Sequence, residues 1–227
     1  MTRKSFSHRF SWLKWRFSAR ASFAALMVIS LALCVSVIPA AAQTIVDEWA
    51  TVKTPPAPAL KPVTIDPKDT ALLILDIISP ICNADRRPRC LASVPKIHAL
   101  LTEARAKGML VIYSLAGTAT VADVLKEVAP LGTEPVVRSR SDKFIGTDLE
   151  KILKEKGIKT VIVVGSAAHG AVLYTASGAA LRGYQVIIPV DGMSAENSYF
   201  EQYTAYQLAN IPGVGQQVTL TKVDMIK

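Results

Sequence analysis

The stretch TVIVVGSAAHGAVLYTASGAALRG, residues 160–183, indicates the fold class because its pattern changes from that of a strand to that of a helix. Residues 160–165 are a continuous apolar run of strand length, which is typical of a strand buried on both faces. Residues 171–181 are rich in small and apolar side chains and predict a helix, which Gly183 ends. A buried strand followed closely by a helix is the building unit of a parallel α/β sheet.

The same alternation of strand and helix occurs on both sides of this stretch. Further strands are predicted at residues 71–77, 109–114, 134–138, 185–190 and 218–222. Further helices are predicted at residues 93–107, 121–128, 147–156 and 194–209, the third opening on a capping box formed by Thr147 and Glu150. This order predicts an α/β protein, a three-layer α/β/α sandwich around a parallel sheet with right-handed crossovers.

The net charge of +8 comes mainly from the N-terminus of the 227-residue chain. Six of the 26 basic residues and none of the 18 acidic ones lie within residues 1–42, so the remainder carries a net charge of only +2. A nearly neutral body gives no electrostatic reason to expect DNA or RNA binding. We therefore expect no nucleic-acid partner.

Residues 1–42 have the pattern of a secretory signal peptide. A basic region precedes an apolar run over residues 21–38, and three small residues, Ala40 to Ala42, follow. Cleavage after Ala42 predicts a periplasmic or secreted protein with no membrane association. A membrane anchor is the competing interpretation, because the apolar run is nearly long enough to span a bilayer. A proline-rich arm at residues 43–68 would then precede one domain at residues 69–227.

Two cysteines, Cys82 and Cys90, remain once the signal is removed. In an oxidising compartment an even number of nearby cysteines predicts a local disulfide. A free, reactive thiol is the alternative.

Two segments lie where a parallel sheet binds its ligands, beyond the carboxyl ends of its strands. Asp76 lies at the end of the strand at 71–77, and a partly desolvated carboxylate there suits a general acid or base. The alternative is an Asp that only hydrogen-bonds the backbone of the next loop. The loop of residues 165–171 joins a strand to a helix whose first amides can bind an anion. It contains His169, one of two histidines outside residues 1–42.

The segments TALLILDIISPIC (70–82) and SDKFIGTDLEKILKEKGIKTVIVVGSAAHGAVLYTASGAALRGYQVIIPVDGMSA (141–195) carry a family resemblance. They resemble the isochorismatase-like hydrolases, a superfamily that includes nicotinamidases, N-carbamoylsarcosine amidohydrolases and isochorismatases. The resemblance implies a sheet of strand order 3-2-1-4-5-6. That order would bring Asp76 to face the 165–171 loop.

Most members of that superfamily use an Asp, a Lys and a Cys, and only the Asp has a direct counterpart here, Asp76. Counted back from Phe144, the position of the Lys falls on Arg138, while Lys143 is out of register. The position of the Cys falls on Ala171, so a thioester mechanism is not expected.

Isochorismatases also lack this cysteine, and the resemblance therefore points to a thiol-free branch. It implies that Asp76 donates a proton and that Arg138 holds a substrate carboxylate. The pocket would be shaped by Ala167, His169, Gly170 and Ala171.

The expected function is an exported hydrolase of a small carboxylate-bearing molecule, with a homo-oligomer plausible. No cofactor is expected, and no metal, because residues 114–117 read Ser-Leu-Ala-Gly where nicotinamidases place a metal-binding Asp-x-His. The alternative is an inactive protein of the same fold that binds a small ligand or a partner, since the same fold need not carry the activity.

Overall fold

A computed structural model describes residues 44–227, and the boundary between its two units falls after Thr54. The predicted signal peptide and its cleavage site lie outside the described residues. Before Thr54, the short helix α1 spans Ile45–Glu48. None of the helices formed by residues 44–227 has the length and hydropathy needed to cross a bilayer.

Seven parallel strands form one sheet in the unit from Pro55 to Lys227. They are β1 (Thr70–Leu75), β2 (Leu110–Leu115), β3 (Val136–Arg138), β4 (Thr160–Ser166), β5 (Gln185–Pro189), β6 (Met193–Ser194) and β7 (Val218–Thr221). Their order is β3-β2-β1-β4-β5-β7, and the two-residue β6 pairs with the end of β4. The predicted order 3-2-1-4-5-6 is confirmed for the six longer strands.

Helices cover both faces of this sheet, as predicted. They are α2 (Pro88–Ala106), α3 (Leu149–Glu155), α4 (Leu173–Leu181), which continues a π-helical turn (Ala168–Val172), and α5 (Ser198–Asn210). Because side chains alternate along a strand, Leu72 of β1 packs with α2 on one face and Leu73 packs with α3, α4 and α5 on the other. Two hydrophobic cores therefore enclose β1 completely.

Two local predictions are wrong. The helix expected at 121–128 is two separate 3₁₀ turns, Val121–Asp123 and Lys126–Val128, because the backbone between them is extended and the Leu125 amide bonds to Ile77 O at 3.1 Å. The capping box of α3 is absent, because Thr147 Oγ1 donates to Lys143 O at 2.5 Å and the helix begins at Leu149.

The second half of the proline-rich arm is part of the main unit, which begins at Pro55. Its backbone pairs with the last residues of the chain: Val63 N donates to Met225 O at 3.1 Å and Ile65 N donates to Lys227 O at 3.0 Å. The arm thus lies against the carboxyl-terminal segment.

Candidate active site

Asp76 follows the last residue of β1 and turns its carboxylate into the protein. Its backbone has a φ of +55°, a left-handed conformation that few non-glycine residues adopt and that is common at functional sites. The residue is only 4% exposed. Ser114, at the end of β2, donates its hydroxyl to Asp76 Oδ1 at 2.7 Å.

Lys143 neutralises this carboxylate. Its Nζ lies 2.7 Å from Asp76 Oδ2, and the lysine side chain is completely buried. The ammonium also donates to the carbonyl oxygens of Arg140, at 2.7 Å, and Ser139, at 3.3 Å. All three donors of the ammonium are used, as a buried cation requires.

Arg138 is not the cation beside Asp76, which corrects the expectation from sequence. It ends β3 on the exposed surface, where Nη1 donates to Gly117 O at 2.7 Å. The five residues after it turn back towards the sheet, and a 3.2 Å hydrogen bond from Lys143 N to Thr175 Oγ1 holds the end of that turn. Counting from Phe144 missed Lys143, although a lysine directly before a buried Phe was a usable signal.

The loop after β4 forms the neighbouring wall of the site. Gly165, φ +135°, pairs with Leu75, and the Ser166–Ala167 peptide bond that follows is cis. Ala167 O accepts hydrogen bonds from the amides of Gly170 and Val172, at 3.0 and 3.2 Å, which closes the π-helical turn. The chain thereby reverses at the edge of the sheet next to Asp76.

Ala171 and His169 both lie on this turn. Ala171 is 6% exposed and carries no nucleophile at the position that matches the family cysteine. The His169 ring stacks on Phe200, with centroids 4.0 Å apart, and its Nε2 is 3.9 Å from Glu196 Oε2. His98, the other histidine of the described residues, is exposed on α2 with Nδ1 2.5 Å from Glu127 O.

Arg87 is the site residue that sequence reasoning missed. It is 6% exposed and precedes α2. Its Nη1 donates to Ser166 Oγ at 2.9 Å, and Nη2 forms an ion pair with Glu196. The Arg-Arg-Pro-Arg run of residues 86–89 gave no indication of which arginine is buried.

A disulfide joins Cys82 and Cys90 in the loop that carries Arg87. The two sulfurs are 2.05 Å apart, and both residues are buried, so neither is a free thiol in this structure. The loop is tightened further by hydrogen bonds from Cys82 N to Ile78 O at 2.8 Å and from Arg87 N to Asn83 O at 2.9 Å.

Glu196 is ionised more readily than an ordinary glutamate. Partial desolvation opposes its ionisation. Hydrogen bonds from its own backbone amide and from Arg87, together with the charge of Arg87, outweigh this and lower the pKa of Glu196. The carboxylate that faces His169 is therefore negative at neutral pH.

No cluster of three or more His, Cys, Asp or Glu residues with metal-binding geometry occurs among residues 44–227. Around Asp76 the structure places one carboxylate, one ammonium, from Lys143, and one hydroxyl, from Ser114.

Comparison with known proteins gives the family. The isochorismatase domain model matches residues 70–222. The chain belongs to the isochorismatase family. Its relatives include the "Secreted isochorismatase effector Isc1" of Verticillium dahliae, 28% identical over 144 residues, which are 58% of this chain and 76% of the effector.

Two further relatives of this isochorismatase-family chain have names that state an activity. N-carbamoylsarcosine amidase of an Arthrobacter species is 32% identical over 39% of this chain and 34% of the amidase. Streptothricin hydrolase of Streptomyces noursei is 28% identical over 72% of this chain and 63% of that hydrolase. The aligned part thus spans less than two thirds of either enzyme. The superfamily to which the chain belongs is one of hydrolases.

Solved structures show the same fold. An isochorismatase-like hydrolase from Alkaliphilus metalliredigens superposes with a TM-score of 0.62 at 22% identity, over 69% of this chain and 95% of that structure. A cysteine hydrolase from Pseudomonas syringae superposes with a TM-score of 0.63 at 21% identity, over 74% of this chain and 94% of that structure.

Proposed function

We propose that this protein is an exported hydrolase that acts on a small carboxylate-bearing molecule without a cysteine nucleophile, with Asp76 as its general acid and base. The observation that supports this most directly is the buried contact between Asp76 and Lys143, on a sheet edge where Ala171 replaces the thiol.

Lys143 gives Asp76 a proton source. The Lys143 ammonium lies within hydrogen-bond distance of the carboxylate, which is the geometry that proton transfer requires. A proton can therefore pass from Nζ to Oδ2 across their 2.7 Å contact. An arginine could not do this, because a guanidinium does not release its proton in proteins.

The reaction that uses such a proton is hydrolysis of an enol ether. Asp76 transfers the proton to the terminal carbon of the double bond, and the positive charge moves to the carbon that bears the ether oxygen. Water adds there, its proton returns through Asp76 to Lys143, and the hemiketal collapses to a ketone and an alcohol. No covalent enzyme intermediate is needed, which agrees with Ala171.

The substrate carboxylate has two cationic or polar neighbours at this edge of the sheet. Arg138 is exposed at the end of β3 and can attract the anion, although it does not contact Asp76. Ala167 precedes the turn that contains His169 and Gly170 and opens a 14-residue helical segment. The Gly170 amide already donates to Ala167 O, so the earlier amides, those of Ala168 and His169, are the ones that can bind an anion. We assign substrate binding to both.

Export is proposed from the signal-like residues 1–42 and supported by the Cys82–Cys90 disulfide, because disulfides persist in oxidising compartments. A secreted relative, the Verticillium effector, is consistent with the same destination.

The test is a hydrolysis screen of purified residues 43–227 on enol ethers and small amides, with Asp76→Asn and Lys143→Arg run in parallel. We expect enol-ether turnover that falls at least about 100-fold in both variants, because each removes the transferable proton. Unchanged turnover in Asp76→Asn would overturn this mechanism. Amide turnover would show that the reaction class is wrong.

An inactive ligand-binding protein is the second candidate, favoured by the missing thiol at Ala171. Saturable binding of small carboxylates, with no turnover of any substrate in the screen, would support it over the enzyme.

A further inference from the structure

A second polar cluster lies across the sheet edge from Asp76 and contains Arg87, Ser166, Glu196 and His169. Arg87 and Ser166 are 6% and 1% exposed, and their 2.9 Å hydrogen bond joins the loop after β1 to the end of β4. The ion pair of Arg87 with Glu196 adds the segment between β6 and α5. One guanidinium therefore connects three loops of the site.

Arg87 is unsuited to bind substrate directly. Nη1 and Nη2 are engaged by Ser166 and Glu196, and Nε is buried without a partner. Its neighbours, in contrast, line the site: the His169 side chain is 30% exposed and faces Glu196. Since Arg87 is also only 6% exposed, it acts on the site through the residues that it holds.

The cluster contains buried polar atoms that lower the stability of the folded protein. Within residues 44–227, five buried side-chain atoms have no hydrogen-bond partner, and three of them are Arg87 Nε, His169 Nδ1 and Ser194 Oγ. Ser194 pairs with Ser166 in the sheet, and its carbonyl accepts from Ser166 Oγ at 3.3 Å. Unpaired buried polar atoms destabilise a protein, and their concentration in one place is typical of a functional site.

The disulfide fixes the loop that carries Arg87. Cys82 is anchored to the turn after β1, and Cys90 lies in the first turn of α2, so the bond closes the loop on both sides of Arg87. The disulfide thereby restrains the loop in a position from which the Arg87 guanidinium reaches Ser166 at the end of β4.

We infer that Arg87 is a positioning residue for the His169 wall of the site and that the Cys82–Cys90 disulfide sets its position. The kinetic test of this inference rests on the proposed function, whereas its structural test does not. The proposed function concerns the Asp76 side of the site, and this inference concerns the β4 side. In it, the disulfide acts on the site indirectly, through the position of Arg87.

The first test needs no substrate. The ring carbon–proton resonances of the histidines are compared by NMR in the wild type, Arg87→Met and Arg86→Met. Arg86→Met is the matched control, since that exposed arginine lies in the same disulfide loop and its guanidinium donates to Pro80 O, at 3.1 Å, and not to the cluster. We expect Arg87→Met to move the His169 resonance and leave that of His98 in place, and Arg86→Met to move neither. An unmoved His169 resonance in Arg87→Met overturns the inference.

The disulfide is tested in the same way. Cys82→Ala/Cys90→Ala, shown to be folded by circular dichroism, should move the His169 resonance in the same direction as Arg87→Met. If this double variant is folded and its His169 resonance matches the wild type, the disulfide does not set the position of Arg87.

Kinetics separates positioning from general stability. On a substrate found in the hydrolysis screen, Arg87→Met should lower kcat/KM by about 10- to 100-fold, with Arg86→Met equal to the wild type. Arg87→Lys should recover only part of the loss, because an ammonium cannot hold Ser166 and Glu196 in the same forked geometry. Equal kcat/KM in Arg87→Met and Arg86→Met would overturn the inference. A wild type without turnover, combined with a moved His169 resonance, would overturn only the proposed hydrolysis.

Discussion

Asp76 is a nearly buried carboxylate, and one ammonium neutralises it. Removing one member of a buried ion pair leaves the other charge buried and alone, which commonly costs 3–5 kcal/mol. The Asp76–Lys143 pair is of this kind, with side chains 5% and 0% exposed. Breaking the pair should therefore change the free energy of unfolding as well as turnover.

Lys143→Met should lower the free energy of unfolding by about 3–5 kcal/mol, measured by urea denaturation at pH 7. Arg138→Met, which removes the same charge from an exposed position, should change it by less than about 0.5 kcal/mol. The double variant Asp76→Asn/Lys143→Met should be more stable than Lys143→Met alone, since no unpaired charge remains. A loss in Arg138→Met as large as that in Lys143→Met would contradict this assignment.

Glu196 should make the free energy of unfolding depend on pH in the acidic range. Its pKa is lowered in the folded protein, so its contribution is complete above the ordinary glutamate pKa of 4.5 and is lost as the pH falls through the lower value of the folded state. Glu196→Gln should therefore lose less stability than the wild type between pH 5 and about pH 3, measured by urea unfolding at each pH. Parallel stability curves for the two proteins would show that the Arg87 pair contributes nothing.

At the scale of elements, the strands were predictable and the connections were not. The runs at β1, β4 and β5 are continuously apolar because both faces of the sheet are covered, and that pattern is visible in the sequence. The position of Lys143 depends instead on a non-periodic segment, residues 139–146, that turns back over the sheet. The conformation of this segment depends on contacts with α4, such as that of Lys143 with Thr175, and such contacts leave no local pattern in the sequence.

The pairing of β1 with β4 depends on one glycine. A Cβ on Gly165 would lie 2.1 Å from Leu75 O, a backbone atom that cannot move without breaking the strand pair. Gly165→Ala should therefore cost more than about 4 kcal/mol or prevent folding. Gly157→Ala is the matched control: its φ is +66°, with nothing within 4 Å of the new methyl group, so it should cost only about 1–2 kcal/mol. Thermal unfolding of both variants measures the difference, and similar losses would mean that close packing at Gly165 is unimportant.

For the whole molecule, the sequence established the family and the order of the long strands, but it could not show which distant residues meet. Arg87 and Glu196 contact each other although 109 positions separate them. Sequence spacing carries no information about such a contact.

Export is testable on the intact chain. When the 227-residue chain is made in a Gram-negative bacterium, we expect the periplasmic protein to begin at Gln43 and to be two hydrogens lighter than its reduced form, by intact mass spectrometry. Alkylation before and after reduction is the control for the thiol count. A protein that retains residues 1–42 in the membrane fraction would favour the anchor instead.

The pairing of the proline-rich arm with residues 220–227 has a consequence for synthesis. Val63 and Ile65 reach their hydrogen-bond partners only after Met225 and Lys227 have been made. A ribosome releases the arm well before its partner segment. During that interval the early segment stays unsatisfied and accessible to chaperones and proteases. Closure of the arm therefore cannot precede synthesis of residues 225–227.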